Sequence, residues 1–447
     1  MPGRTGRRGR RGKDPFEGVV PEAVFAGRAQ VSGRLQPVEI GVDGNGRIVR
    51  MGRRLAGARR YDLGDRVLLP SATDIHVHFR DPGGAADVES FESGTVEAAL
   101  GGVGLVADMP NTVPPVTDLD GLETKAARAR GRLAVDAVLF AAATSPSAVR
   151  RLSPRAGAFK LYMSPTTGVV EPPAAAALPR ILEAVAVGGL ALSVHAEAPE
   201  RFRPRPDRPA TAPPDWDAER PAEAEARAVD HLLPAPPALR LNVAHVTTGT
   251  VAERLAAAGH CFEATPQHLL LSARPGDDAR RKVNPPLRSE GERARLWEAF
   301  RAGLVPVVAS DHAPHALGDK AQPFASAPSG MPGVETLLPL LLSRVRDGEL
   351  SLETLLRAAC DRPARWLGQS QGRLAVGHRA NFLVVDFRER RTISGRHLHA
   401  PCGWTAFEGW EGVFPMEHYR DGRPIVLGGE FVGDRTGSIV RPEYAPS

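Results

Sequence analysis

The chain has 447 residues, which is enough for one large enzyme domain and a smaller domain beside it. Hydrophobic residues make up 42% of it and charged residues 24%, proportions that are ordinary for a globular protein. No apolar run reaches the roughly eighteen residues of a membrane span, and the N-terminus lacks the apolar core of a secretory signal. We therefore expect no membrane association and a cytoplasmic location.

The net charge of +5 belongs to the N-terminus, where residues 1–13 carry six basic side chains and no acidic one. The rest of the chain is close to neutral. Such a Gly/Arg-rich composition is typical of a disordered tail, which we place at residues 1–18. Nucleic acid is therefore not an expected partner of the folded chain, and an RNA-binding arm is the alternative for the tail alone.

Two β-rich segments flank a long middle region. Residues 19–70 and 372–447 both contain short apolar runs broken by glycine, and each includes a hairpin turn signal, at Asp43-Gly44-Asn45-Gly46 and at Asp421-Gly422. Chain termini often lie close together in space. We predict that the two segments pair to form a small β-sandwich domain.

The middle region, residues 71–371, alternates eight short apolar runs with stretches of helical composition. The apolar runs are DIHVH, GLVADM, VDAVLF, AFKLY, LALSVH, RLNVAH, CFEAT and VPVVASD. Eight strand–helix units predict an α/β fold, a (β/α)₈ TIM-type barrel, with a doubly wound open sheet as the alternative. No GxGxxG motif follows the first run, so a dinucleotide site is not supported. The proline-rich residues 199–221 predict a long loop after the fifth strand.

Potential metal ligands recur at the ends of these apolar runs. The first run ends in His76-Val77-His78, and the later runs contribute Lys160, His195, His245 and Asp311. The carboxyl ends of barrel strands form one face, where catalytic groups gather. Two histidines that are two residues apart on a strand point to the same side and can bind one cation. The motif alone is also compatible with two partly exposed histidines, but its recurrence at the other strand ends favours a metal site.

Lys160 requires a separate explanation, because a free ammonium does not belong among metal ions. A lysine that reaches solvent from a strand end is the simple alternative. Burial near cations lowers a lysine pKa and favours the neutral amine. That amine can add carbon dioxide to give a carbamate, whose two oxygens can bridge two metals. The chemistry permits this modification but does not require it.

Two stretches of the sequence resemble the amidohydrolase superfamily and, within it, the dihydroorotase family. The first is DIHVHFRDPG at residues 74–83, and the second is ASDHAPH at residues 309–315, followed by Lys320. The resemblance extends from about residue 60 to residue 385. Weaker family-like stretches lie at residues 109–112, 195–197, 282–288 and 330–336.

The resemblance implies a binuclear zinc site with a bridging hydroxide. His76, His78 and Asp311 would hold the more buried ion, His195 and His245 the second, and carboxylated Lys160 would bridge the two. It also implies a catalytic role for Asp311, which would take the proton of the hydroxide and pass it to the leaving nitrogen. The implied reaction is the reversible hydrolysis of (S)-dihydroorotate to N-carbamoyl-L-aspartate in de novo pyrimidine (UMP) biosynthesis.

The resemblance also implies a substrate pocket. Arg80, Asn111 and His315 match positions that bind the substrate carboxylate, and an arginine can grip a carboxylate with two parallel hydrogen bonds. The remaining expected contacts are to the ring, from Asn284 and from the loop that contains Gly330 and Gly333. A lid formed by residues 313–328 is expected by analogy with the fold alone.

The sequence leaves two other functions open. An allantoinase or hydantoinase-type cyclic amidase would use the same metal ligands, although Arg80 and His315 favour a substrate with an α-carboxylate. A non-catalytic scaffold for aspartate carbamoyltransferase would be expected to lack metal ligands, and all six are present. Association with that enzyme and formation of a homodimer are the partner expectations besides the small-molecule substrate.

Overall fold

The computed structural model describes residues 16, 18–31, 33–84, 88–166, 168 and 170–443. The predicted tail at residues 1–18 lies outside this part of the chain, apart from residues 16 and 18. In the described part, no helix is both long enough and apolar enough to cross a membrane.

The chain begins with four strands of a sheet outside the barrel. They are β1 (Ala23–Val31), β2 (Arg34–Val42), β3 (Ile48–Gly52) and β4 (Arg59–Pro70). β2 and β3 form an antiparallel pair around the predicted turn at residues 43–46, where Asp43 Oδ1 accepts hydrogen bonds from the backbone amides of Asn45 and Arg47. β1 pairs with β2 on one side and with β4 on the other.

Eight parallel strands then form the predicted barrel. They are β5 (Ala72–Val77), β6 (Val103–Asp108), β7 (Asp136–Ala142), β8 (Ala158–Tyr162), β9 (Ala191–His195), β10 (Arg240–Val243), β11 (Cys261–Ala264) and β12 (Val307–Val308). They pair in sequence order from β5 to β12. A parallel bridge between Val77 and His312 brings the two ends of this sheet together. The barrel prediction is therefore confirmed, and the strands match the apolar runs because almost all of their side chains are buried.

Helices fill the connections between the barrel strands. Those up to β12 are α1 (Phe91–Leu100), α2 (Leu119–Ala129), α3 (Pro146–Leu152), α4 (Leu178–Gly188), α5 (Pro213–Glu219), α6 (Ala222–Leu232), α7 (Gly249–Ala257), α8 (Pro266–Leu270) and α9 (Glu290–Arg301). Those after β12 are α10 (Leu317–Lys320), α11 (Leu337–Arg346), α12 (Leu352–Leu356) and α13 (Arg362–Trp366). Several begin at side-chain caps, such as Ser90, Asp118 and Thr248, whose oxygens accept a backbone amide of the first turn.

The prediction of a long loop at residues 199–221 was wrong in part, because α5 lies within it. Pro213 and Pro214 occupy the first two positions of that helix, where a missing backbone N–H leaves no hydrogen bond unmade. The proline content that suggested a loop is therefore compatible with a helix start. α5 matters for the site because it carries Trp216, whose indole N–H donates to Asn284 Oδ1 at 3.0 Å.

The C-terminal segment returns to the first sheet. Its strands are β13 (Phe382–Val385), β14 (Arg391–Thr392), β15 (Glu411–Gly412), β16 (Glu417–Arg420), β17 (Arg423–Leu427) and β18 (Glu430–Phe431). β13 is antiparallel to β4, with Leu383 opposite Leu69, and β16–β18 extend the sheet to eight strands. Asp421 and Gly422 join β16 to β17 with φ values of 51° and 71°, as a two-residue hairpin turn with two left-handed residues requires.

The predicted pairing of the two terminal segments is therefore confirmed. The aromatic ring of Phe25 from the N-terminal segment lies 4.9 Å from that of Phe382 and 5.0 Å from that of Tyr419, both from the C-terminal segment. The division of the chain at residues 70 and 372 stays a prediction.

Candidate metal centre

A narrow cavity opens at the carboxyl ends of the barrel strands, and most of the predicted site residues meet there. Ten of the twelve line it: His76, His78, Arg80, Asn111, Lys160, His195, His245, Asn284, Asp311 and Gly330. Tyr162, Thr166, Ala313 and Ser329 also line the cavity and were not predicted. Residues as far apart in the sequence as His76 and Gly330 thus share one pocket, because the barrel places every strand end on the same face.

Three of the predicted ligands converge on one point. The Nε2 atoms of His76 and His78 both lie 3.2 Å from Asp311 Oδ1. Ligand atoms that share one tetrahedral zinc ion at 2.0–2.1 Å lie about 3.3 Å from one another. The spacing of these three atoms therefore fits a single metal ion of this kind.

A second pair of ligands lies beside the first group. His195 Nδ1 is 3.0 Å from His245 Nε2, and the ring centroids of His76 and His245 are 5.3 Å apart. Lys160 Nζ lies 3.2 Å from His76 Nε2, and Lys160 is only 1% exposed. The alternative of a lysine that reaches solvent is therefore wrong. The described side chains offer donor sets for two cations that share one side of the cavity.

The outer nitrogens of three of these histidines are held by hydrogen bonds. His76 Nδ1 is bonded to Glu263, His78 Nδ1 donates to Asn111 Oδ1 at 2.6 Å, and His195 Nε2 donates to Glu197 Oε2 at 2.8 Å. An imidazole that donates from one nitrogen presents the lone pair of the other, which is the form that binds a metal. The prediction from the sequence did not include Glu263 and Glu197 as partners of these histidines. The only signal for Glu263 was one carboxylate inside an otherwise apolar strand.

Burial sets the protonation of this cluster. It lowers the pKa of His76, His195 and His245, which keeps these rings neutral. Burial also lowers the pKa of Lys160 to about 8, while the negative charges of Glu263 and Asp311 oppose this change. The amine of Lys160 is therefore closer to its neutral form than that of an ordinary lysine.

The backbone is strained at the mouth of the cavity. Arg80, His245 and Asp311 have φ values of 52°, 38° and 49°, in the left-handed region that residues other than glycine rarely adopt. They are three of the five such non-glycine residues in the described part of the chain. Each conformation costs on the order of 1 kcal/mol or more, and the surrounding structure has to hold it in place.

The predicted substrate residues fall into two groups. Arg80, Asn111, Asn284 and Gly330 line the cavity. His315 lies behind the cavity wall, with its Nε2 3.4 Å from an Arg80 Nη2 and 2.9 Å from the carbonyl oxygen of Ser329.

Gly333 belongs to the second group, because its backbone amide is bonded to His312 Nδ1 at 3.1 Å. Gly330 has a φ of 137°, and a Cβ there would lie 2.5 Å from the Ala313 carbonyl oxygen, so only glycine fits this part of the wall.

The barrel and this set of strand-end ligands define the amidohydrolase class of protein. A family model described as dihydro-orotase-like matches residues 65–160. The dihydroorotase of Halobacterium salinarum is 38% identical over 409 residues, which cover 89% of this chain and 93% of that protein. The dihydroorotase of Archaeoglobus fulgidus is 34% identical, with coverage of 87% and 94%. This chain belongs to the dihydroorotase family.

Similar solved structures agree on the fold. The L-hydantoinase (dihydropyrimidinase) from Arthrobacter aurescens has a TM-score of 0.85 and 26% identity, and the match covers 94% of this chain and 99% of that one. The dihydropyrimidinase from Brevibacillus agri has a TM-score of 0.83 at 24% identity, with coverage of 95% and 100%. At this level of identity, the second comparison supports the fold, a barrel with an added sheet, and indicates no substrate.

Proposed function

We propose that this enzyme catalyses the reversible hydrolysis of (S)-dihydroorotate to N-carbamoyl-L-aspartate, a step of pyrimidine (UMP) biosynthesis. The choice of dihydroorotate over other cyclic amides rests on Arg80, whose guanidinium lines the cavity beside the predicted metal ligands. The names of the curated relatives support the same substrate.

Two zinc ions are the proposed cofactor. His76, His78 and Asp311 would hold one ion, His195 and His245 the other, and a carboxylated Lys160 would lie between them. When bound, zinc supplies acidity to a water molecule and polarises an amide carbonyl. The spacing of the donor atoms supports this assignment. The hydrogen bonds that fix the tautomers of His78 and His195 support it as well.

Lys160 supports the assignment through its burial. An ammonium so close to a histidine nitrogen would repel any cation that the histidines bind. Addition of carbon dioxide to the neutral amine forms a nitrogen–carbon bond, releases one proton and converts the side chain to an anion. The lowered pKa of Lys160 favours the amine that this reaction needs.

Asp311 is the proposed proton carrier. One of its oxygens faces both His76 and His78, and its side chain is 13% exposed, at the edge of the cavity. A carboxylate in this position can accept the proton of an attacking water and deliver it to the ring nitrogen as the amide bond breaks. Its strained backbone supports a fixed orientation for this transfer.

Arg80 and Asn111 would bind the substrate carboxylate. One Arg80 nitrogen donates to the Pro314 carbonyl oxygen at 2.5 Å, which orients the guanidinium towards the cavity. Asn111 lines the cavity beside Arg80, and its oxygen accepts from His78, which fixes the position of its side chain at the cavity wall. Asn284 and Gly330 would contact the ring, while His315 and Gly333 would act through Arg80 and the loop.

A side-by-side assay tests the substrate. The zinc-loaded enzyme is given dihydroorotate, allantoin and hydantoin, and we expect turnover of dihydroorotate alone. Arg80→Met should lower kcat/KM for dihydroorotate by about ten- to a hundredfold, because it removes a charged hydrogen bond to the carboxylate. Arg180→Met, at an exposed arginine of α4, is the matched control. Turnover of allantoin or hydantoin without turnover of dihydroorotate would refute the proposal.

The remaining expectations concern location and assembly. A cytoplasmic location, a homodimer and an association with aspartate carbamoyltransferase stay predictions. The RNA-binding alternative concerns the tail at residues 1–18, nearly all of which lies outside the described residues.

A further inference from the structure

A second buried polar cluster lies directly behind the metal centre. It consists of Glu89, Glu97 and His312, whose ligand-type atoms lie within 4.8 Å of one another. All three side chains are buried, and His312 follows Asp311 in the chain. The composition resembles that of a metal site, but the side chains of His312 and Glu89 are hydrogen-bonded to each other and to the backbone.

The hydrogen bonds of His312 assign it a different role. Its Nδ1 accepts from the backbone amides of Gly333 at 3.1 Å and Val334 at 3.2 Å. A neutral ring that accepts at Nδ1 carries its proton on Nε2, and this atom donates to Glu89 Oε2 at 2.9 Å. A metal on Nε2 would have to displace that proton and leave an imidazolate. The ring is therefore fully bonded as a neutral link.

Glu89 is held in place by several donors. Its Oε1 accepts from the backbone amide of Ser90 at 2.9 Å and from the Ser93 hydroxyl, at the start of α1. Burial and the negative charge of Glu89 raise the pKa of Glu97, which is hydrogen-bonded to Glu89. The carboxylate that accepts the hydrogen bond from His312 is thus fixed to the first turn of a barrel helix.

The backbone of His312 joins three parts of the site. Its carbonyl oxygen accepts from the His78 amide at 2.7 Å, where the barrel closes. It also forms a β-bridge with Met331, in the loop between Gly330 and Gly333. Asp311, the adjacent residue, has a left-handed backbone that its neighbours must hold.

We propose that His312 is a positioning residue that holds Asp311 and the Gly330–Gly333 loop in register with the His76–His78 strand end. Glu89 fixes the orientation of its ring. This inference rests on the proposed function, because it assumes that Asp311 transfers the proton and that the loop contacts the substrate.

Two substitutions separate the hydrogen bond from His312 Nε2 to Glu89 from the hydrogen bonds that His312 Nδ1 accepts from the loop. Asparagine at position 312 offers an acceptor near the Nδ1 position but does not reach Glu89. Glutamine offers a donor near the Nε2 position but no acceptor for the loop. We expect His312→Asn to lower kcat about tenfold with KM within twofold of the wild type. His312→Gln should raise KM for dihydroorotate about tenfold, because the loop at Gly330 loses its anchor.

The partner residue provides the rescue experiment. Glu89→Ala should reproduce the kcat loss of His312→Asn, and the double variant should show no further loss because both changes break one link. Glu89→Gln keeps an acceptor for His312 and should recover most of the activity. His231→Asn, at a half-exposed histidine 3.7 Å from Glu200, is the control and should leave kcat and KM unchanged.

The outcomes distinguish this inference from the proposed function. Zinc content and the unfolding midpoint are measured for every variant. If both variants lose zinc, lower kcat and raise KM together, His312 is an ordinary structural residue. If both variants keep wild-type kinetics, His312 positions nothing. Either result overturns the inference. If the wild type opens another ring and not dihydroorotate, the proposed function fails, and the same split of kcat and KM is then measured on that ring.

Discussion

The Nδ1 atom of His195 lies 3.0 Å from the Nε2 atom of His245, so two imidazoles from neighbouring strands direct nitrogens at one point. Glu197 accepts a hydrogen bond from the other nitrogen of His195. If His195 carries a single proton, that proton is on the Glu197 side, and His195 Nδ1 then presents a lone pair towards His245 Nε2. A proton on His245 Nε2 or a cation between the two rings would satisfy this lone pair, and the proposed zinc would take the second role.

The first prediction concerns removal of the metal. Dialysis against a chelator should abolish turnover and lower the unfolding midpoint. Added zinc should reverse both effects. At a zinc concentration a thousandfold above Kd, binding contributes about 4 kcal/mol to the free energy of unfolding. Calorimetric scans with and without the chelator measure the shift. An unchanged midpoint, with full activity after exhaustive chelation, would show that these ligands hold no functional ion.

The second prediction tests carboxylation of Lys160. In enzyme loaded with zinc and isotope-labelled bicarbonate, NMR should detect one carbamate carbon. Lys160→Met should abolish this signal and lower kcat by at least about a hundredfold. Lys125 and Lys320 are also buried, but the first is paired with Asp108 and the second donates to backbone carbonyls. Lys320→Met is therefore the matched control and should keep the carbamate signal. A signal that survives in Lys160→Met would refute the modification.

The barrel could be predicted because each strand is a short apolar run, and five of the eight runs contribute a predicted ligand. His76 and His78 needed only the two-residue repeat of a strand to be placed on one side. Their partners needed only the rule that barrel strands end on one face. These signals are local, or repeat at each strand, and survive in a single sequence.

The hydrogen-bond partners of the ligands could not be predicted in this way. Glu263 lies 187 residues from His76, and nothing near it in the sequence indicates that the two side chains are in contact. Its position inside an apolar strand indicated only a buried acid. The same holds for Glu89 and His312, which are 223 residues apart and meet only when the barrel closes.

The third prediction concerns Glu263, which contacts His76 and accepts from Asn242 Nδ2 at 2.7 Å. Glu263→Gln keeps an acceptor for His76 but removes the negative charge that makes the ring a stronger ligand. We expect zinc affinity to fall about ten- to a hundredfold, as is typical for such partners. Competition with a chromogenic chelator measures the affinity. Glu253→Gln, on the exposed side of α7, should leave it unchanged, and equal affinities in the two variants would contradict the role of Glu263.

The fourth prediction concerns the loop that closes one side of the cavity. The Lys320 ammonium donates to the carbonyl oxygens of Pro328 and Gly330, both at 2.8 Å, so it ties the expected lid to the cavity wall. Burial and the nearby charge of Lys282 lower the pKa of Lys320 to about 7. Between this value and the ordinary lysine pKa, the unfolded chain binds the proton more tightly than the folded chain.

This difference fixes the sign of the pH effect. The free energy of unfolding of the wild type, relative to that of Lys320→Met, should increase as the pH rises from 7 to 9, with a limiting slope of about 1.4 kcal/mol per pH unit. Below pH 7 both states hold the proton, and the difference should be constant. Urea unfolding of both proteins at several pH values measures it. A difference that is flat or falls across this range would mean that the carbonyl bonds outweigh burial and keep Lys320 charged.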